Sequence, residues 1–302
     1  MSMTETSIDT GRRVTLMLGD GAMSALRWGD DRAPPDLIFL HANGFNAAAY
    51  APLLAPLGER AAVVALDMRG HGLSRLPTMP DTLTDWWPYA RDLVAVLDQW
   101  VPKGAPPVVL AGHSMGGITA ILAASSRPAA VRGVVLADPV LMPPMLRWAL
   151  YTPWARARAR VTPLAAGALK RRALFPSKAE ALATYSTRKA FSTWQPGFLE
   201  GYVEGGFVDD PDGVRLACAP EWEAANFAAH RHGSWSALAR LAMPVRLFMA
   251  ETGSTVSGGL ARVASMASKV EASMVPGTSH FIPMERPDVI REALSDMLDR
   301  TR

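Results

Sequence analysis

Apolar residues follow two rhythms along this chain. Short, largely apolar runs of strand length occur at Asp36–Leu40, Ala61–Leu66, Val131–Ala137, Val245–Met249 and Val270–Val275. A further run starts at Val108 and ends in Gly112-His113-Ser114-Met115-Gly116. Between them the repeat changes to three and four. Trp86, Trp87, Ala90, Leu93, Val94 and Leu97 predict a helix over Leu83 to Val101. Helices are also predicted through Leu53, Leu54 and Leu57, from Ile118 to Ala124, near Leu260 to Ser268, and from Pro287 to Asp299. At the start, Arg12–Gly19 and Met23–Trp28 flank a Gly-Asp-Gly turn and predict a hairpin.

Strands that alternate with helices and are apolar on both faces predict an α/β fold, a mainly parallel sheet with helices on both sides. The alternation lapses between Leu141 and Leu241. That stretch carries helical patches, prolines and aromatic residues such as Trp148, Trp154, Trp194 and Tyr202. The expected organisation is a core built from 1–140 and 242–302. A helical cap, 141–241, is inserted over the carboxyl edge of the sheet, where such folds bind ligands.

The 302 residues are enough for one large core, and 49% are hydrophobic. Met1 to Arg13 is polar, so no signal peptide is expected, and no apolar run is long enough to cross a membrane. Cys218 is the one cysteine, which excludes an internal disulfide and fits the reducing cytoplasm. A net charge of +3 and the lack of any nucleic-acid motif argue against a nucleic-acid partner. The basic excess is local: ten Lys and Arg against one acid, Glu180, from Met142 to Ala190. A solvated outer face is the plain reading, with anion attraction or loose membrane contact as the sharper ones. Monomer and homodimer are equally compatible with the sequence.

The chemistry centres on Gly112-His113-Ser114-Met115-Gly116. A strand passing through Gly-x-Ser-x-Gly into a helix makes a tight elbow that lifts Ser114 clear of its backbone. The helix then points free N–H groups and its positive end at the site. The oxyanion donors are expected at the backbone of Met115 and, in the turn His41-Ala42-Asn43-Gly44-Phe45, at Asn43, with Gly44 or Phe45 as the competing register. Phe45 is expected to line the pocket. His113 lies within the elbow, pointing away from the nucleophile, and is placed with the substrate-binding residues. His280 follows the last strand, in a loop between Gly277 and Pro283, and is the candidate general base. His41 and His71 read as structural, and His230 and His232 belong to the inserted region.

Taken together, the segments His41–Phe45, Asp67–Gly72, Gly112–Gly116, Asp138-Pro139 and Gly277–Pro287 resemble the lidded serine hydrolases of the α/β-hydrolase fold. The resemblance implies an eight-stranded sheet, a helical cap between the sixth and seventh strands, and a Ser–acid–His triad. It excludes the related dehalogenases and epoxide hydrolases, which carry an aspartate where Ser114 stands. One position departs from the pattern. The family usually has its acid just beyond the seventh strand, near Gly253, and no aspartate is there. Asp138, where some family members carry the acid, and Glu251 are the substitutes, with Asp138 preferred. The implied activity is acyl transfer to water from a small to medium, largely apolar ester, with no metal or organic cofactor. A carbon–carbon bond hydrolase, a lactonase or a cofactor-free haloperoxidase would use the same residues. A ligand receptor that has lost turnover is the reading from another class.

Overall fold

The computed structural model describes residues 9–267 and 269–301. The first eight residues of the polar leader and Ser268, the expected end of one helix, lie outside that range. Eight strands form the main sheet in the order β1-β2-β4-β3-β5-β6-β10-β11. They are β1 (Arg12–Leu18), β2 (Gly21–Trp28), β3 (Leu37–Leu40), β4 (Val63–Leu66), β5 (Val108–His113), β6 (Val131–Ala137), β10 (Val245–Ala250) and β11 (Val270–Val275). β1 pairs antiparallel with β2, and β2 antiparallel with β4. From β4 to β11 every pairing is parallel.

The period-two alternation of the strands divides the core into two layers. Ile38 and Leu40 of β3 face one side, with the helices Trp87–Trp100 and Met115–Ser126. Leu37 and Phe39 face the other, with Leu53, Leu54 and the helix Pro287–Arg300. Two boundaries differ from expectation because of proline. The helix expected from Leu83 begins at Trp87, since Pro88 suits only a first turn and disfavours helical backbone before it. The stretch around Leu53 to Leu57 is broken into one α turn between 3-10 turns, with Pro52 and Pro56 each opening a new turn.

Between β6 and β10 the chain forms the helices Pro144–Ala149, Pro153–Ala159, Pro163–Leu169, Lys178–Ser186, Phe198–Gly206, Pro220–Ala228 and Ser234–Ala239. It also forms a small antiparallel sheet that the sequence reading did not anticipate: β7 (Leu174–Phe175), β8 (Phe207–Asp210) and β9 (Gly213–Leu216), in the order β7-β9-β8. Two to four residues are too few for an alternating pattern to register. Among the described residues, no helix is long and apolar enough to cross a membrane.

The helix Met115–Ser126 lies unusually close to the sheet. A Cβ on Gly116 would stand 2.2 Å from the carbonyl oxygen of Leu40, and one on Gly112 would stand 2.4 Å from the Gly116 carbonyl. Gly167, in the helix Pro163–Leu169, has nothing within 4 Å of the same position. Gly116→Ala should therefore destabilise the fold by about 3 kcal/mol or more, as an over-packed core does. Gly167→Ala should stabilise it by up to about 1 kcal/mol through helix propensity. Urea unfolding of both variants checks this, and a Gly116→Ala protein as stable as wild type would refute the close approach.

Candidate active site

The carboxyl ends of β5, β6 and β11 lead directly into the three residues of interest. Ser114 follows β5 with φ 57° and ψ −116°, a conformation that costs a non-glycine residue about 1–3 kcal/mol. Its N–H is held by the carbonyl of Ala137, 3.0 Å away at the end of β6. Asp138 comes next in the chain, fully buried and also at positive φ, 41°. His280 sits in the loop after β11. Its Nε2 lies 3.0 Å from Ser114 Oγ and its Nδ1 lies 2.6 Å from Asp138 Oδ2.

Asp138 is surrounded by donors. Oδ1 accepts the Ala250 N–H at 3.0 Å and the Ser254 hydroxyl at 2.5 Å. Oδ2 accepts the Thr255 N–H at 2.9 Å as well as the imidazole. Burial alone would push this carboxyl up. The bonds from His280, Ser254 and the Ala250 N–H outweigh it and hold the group below the usual carboxylate range. Ser254 and Thr255 lie immediately past Gly253, where the family acid was expected. The loop supplies hydroxyl and amide donors there instead of a carboxylate. The alternative acid is placed elsewhere: Glu251 is exposed and accepts the Gly277 N–H at 2.8 Å, a contact that holds a turn.

The turn after β3 is fixed by two buried histidines. His41 donates from Nδ1 to the Ala42 carbonyl and accepts the Met68 N–H at Nε2, 2.9 Å away. His71 donates from Nδ1 to the Arg69 carbonyl and accepts the Gly44 N–H at Nε2, 3.0 Å away. The N–H of Phe45 is taken by the Ala42 carbonyl at 3.1 Å. The N–H groups of Gly44 and Phe45, the competing registers for an oxyanion donor, are thus both engaged. Met115 is the first residue of its helix, so its N–H has no acceptor within the helix.

His113 does not line a pocket, contrary to expectation. It is fully buried, and both ring nitrogens are engaged. Its Nε2 lies 2.8 Å from the His280 carbonyl, which can only accept, so Nε2 carries the proton. Nδ1 then accepts the Tyr50 hydroxyl at 2.7 Å, and Tyr50 in turn accepts the Ala42 N–H at 3.1 Å. This chain of bonds ties the β3 turn to the backbone of His280. Phe45 is half-buried in an aromatic cluster, its ring centre 5.0 Å from Tyr202, 5.7 Å from Trp194 and 6.1 Å from Phe281, the neighbour of His280. His230 and His232 pack on Trp86 instead.

One contribution had no sequence signal. Asn43 Nδ2 donates to the Glu223 carbonyl at 2.9 Å. The buried Glu223 carboxylate is paired with Arg171, which also donates to the Tyr202 hydroxyl at 2.7 Å. Arg171 therefore leaves the solvated basic face to which the sequence reading assigned it. No helical periodicity links positions 43, 171 and 223, so only the fold reveals the contact. Among the described residues, no group of three or more His, Cys, Asp or Glu side chains is placed to hold a metal ion.

Burial holds His41 down at about 4, and His71 and His113 at about 3, against an ordinary value of about 6.5. The unfolded chain takes up these protons as pH falls through about 6.5, while the folded chain does so only near 3 to 4. Stability is therefore full above about pH 6.5 and is lost as pH falls, by about 1.4 kcal/mol per pH unit for each histidine. Urea midpoints should be level from pH 8 to 7 and drop clearly by pH 5. Equal midpoints at pH 7 and 5 would contradict three neutral histidines.

With this geometry in place, relatives can be compared. The 2-(acetamidomethylene)succinate hydrolase of Mesorhizobium japonicum is 24% identical over 282 residues, 88% of each chain. The crystal structure of E-2-(acetamidomethylene)succinate hydrolase superposes with a TM-score of 0.77 at 22% identity, covering 95% of this chain and 100% of the other. An esterase of Mycobacterium tuberculosis is 41% identical over 118 residues, 39% of this chain and 37% of its own. The sequence profile of the alpha/beta hydrolase family matches residues 37–293. With that match covering most of its length, the chain belongs to the alpha/beta hydrolase family.

Proposed function

We propose that the protein is a serine hydrolase that cleaves a small to medium, largely apolar ester through an acyl-enzyme on Ser114. The observation that carries this reading is the hydrogen-bonded line from Ser114 Oγ through His280 to the buried Asp138, at 3.0 and 2.6 Å. His280 Nε2 is within reach of the hydroxyl proton, and Asp138 at Nδ1 fixes the tautomer that leaves Nε2 free to accept it. As Ser114 attacks the carbonyl carbon, its proton passes to His280, and the imidazolium is stabilised by the Asp138 carboxylate. The developing oxyanion is met by the N–H groups of Met115 and Asn43. His280 then protonates the leaving alcohol, and water repeats the sequence on the acyl-enzyme to release the acid.

The aromatic cluster of Phe45, Trp194, Tyr202 and Phe281 beside the triad supports an apolar acyl or alcohol group. The segment 141–241, read as a cap, contributes two of these rings. Arg171, whose guanidinium is paired with Glu223, works as a brace for this region in the same reading.

The test is turnover of p-nitrophenyl butyrate by wild type, Asp138→Asn and Glu251→Gln, with circular dichroism to establish folding. Asp138→Asn should lower kcat on the order of 10⁴-fold, as removal of a triad acid does. Glu251→Gln should stay near wild type. Collapse of Glu251→Gln alone would move the acid to β10. A folded wild type that turns over no ester, lactone, vinylogous diketone or N-acyl substrate and resists a fluorophosphonate would leave the receptor reading instead.

A further inference from the structure

Of the thirteen large apolar side chains exposed among the described residues, seven fall between Met145 and Leu169. They include Trp148 at 60% and Trp154 at 75% exposure, with Tyr151, Leu164 and Leu169 also above half. All belong to the three successive helices that open with Pro144, Pro153 and Pro163, or to the turns between them. These side chains are not a core that failed to close. The third helix already has a buried side, where Ala165 and Ala168 pack against Ala224, and Leu164 and Leu169 point elsewhere. Exposed apolar side chains concentrated in this way in one stretch of helices point to a contact surface.

The charge in the same stretch identifies the occupant. Arg147, Arg156, Arg158 and Lys170 make no ion pair among the described residues, while Arg160 donates to the Asp81 carbonyl at 2.7 Å with the Asp81 carboxylate 4.0 Å away. No acid occurs from residue 142 to residue 179. Three of these arginines stand in the last turns of their helices, where they also suit the helix dipole. That role does not account for exposed tryptophans beside them. Trp and Tyr settle at the headgroup level of a bilayer, and unpaired Arg and Lys draw a surface towards anionic lipid. A protein partner would need no such pairing of interfacial aromatics with a one-signed field. We propose that the helical stretch 145–169 docks on the surface of an anionic lipid bilayer, the tryptophans entering the headgroup layer and the arginines meeting lipid phosphates. The proposal concerns binding and does not depend on the catalytic reading.

The experiment is co-sedimentation of the full chain with two kinds of vesicle, phosphatidylcholine alone and phosphatidylcholine mixed with phosphatidylglycerol. Wild type should partition at least about tenfold more strongly onto the mixed vesicles, with the difference shrinking as salt is raised. The double variant Arg156→Gln/Arg158→Gln should lose about tenfold or more on mixed vesicles, since each basic residue contributes about fivefold. Trp148→Ala/Trp154→Ala should weaken binding to both. All these positions are exposed, and turnover of a soluble p-nitrophenyl ester should match wild type in every variant. No binding to either vesicle, or variants that bind like wild type, would overturn the proposal. So would a sedimentation-velocity dimer that the tryptophan variant abolishes, which would give the face to a second copy.

Discussion

The closeness of the helix Met115–Ser126 to the sheet is the constraint on which the site depends. With no side chain at Gly112 or Gly116, the helix backbone comes within a methyl group's reach of Leu40, the last residue of β3. Ser114 is squeezed between strand and helix into a conformation it would not adopt alone. The same approach brings the first N–H of the helix alongside the turn after β3, so one packing contact places both Ser114 and the candidate donors beside it. The strain at Ser114 is sustained by packing on every side, because the residues around it are buried and the β5 and β6 backbones lock through the Ala137 carbonyl.

Around that point, neutral imidazoles serve as fixed connectors. His41, His71 and His113 each donate from one nitrogen and accept at the other, so their tautomers are settled by their partners. Burial keeps them uncharged, and an uncharged ring can both donate and accept, which an imidazolium cannot. Removing them from water thus supports the site as well as costing acid stability. His280, by contrast, is partly exposed and faces Ser114.

The sheet was legible in the sequence because each core strand is a short apolar run ended by glycine, proline or a charged turn. The order Ser114, Asp138, His280 could be read from which loops follow those strands. The small sheet β7-β9-β8 could not, because its strands are too short to show a period. The donors Ser254 and Thr255 carried no signal of their own, since a hydroxyl in a loop is commonplace until a carboxylate is known to lie opposite. Sequence gives the position of His113 in the elbow but not that Tyr50 and the His280 carbonyl take both its nitrogens. Arg171 looked like one more basic residue in a basic stretch, and only tertiary pairing with Glu223 separates it from its neighbours.

Asp138 at the end of β6 has a wider consequence. Ser114 and Asp138 leave adjacent, parallel-paired strands, one residue past His113 and Ala137, which pair with each other. Their separation is set by the spacing of a hydrogen-bonded ladder, the least deformable ruler a protein has. The segment beyond β10 then has only the lighter duty of offering donors to that carboxylate. Its geometric demand is the looser one, since many loops can present a hydroxyl and an amide to a carboxylate already in place.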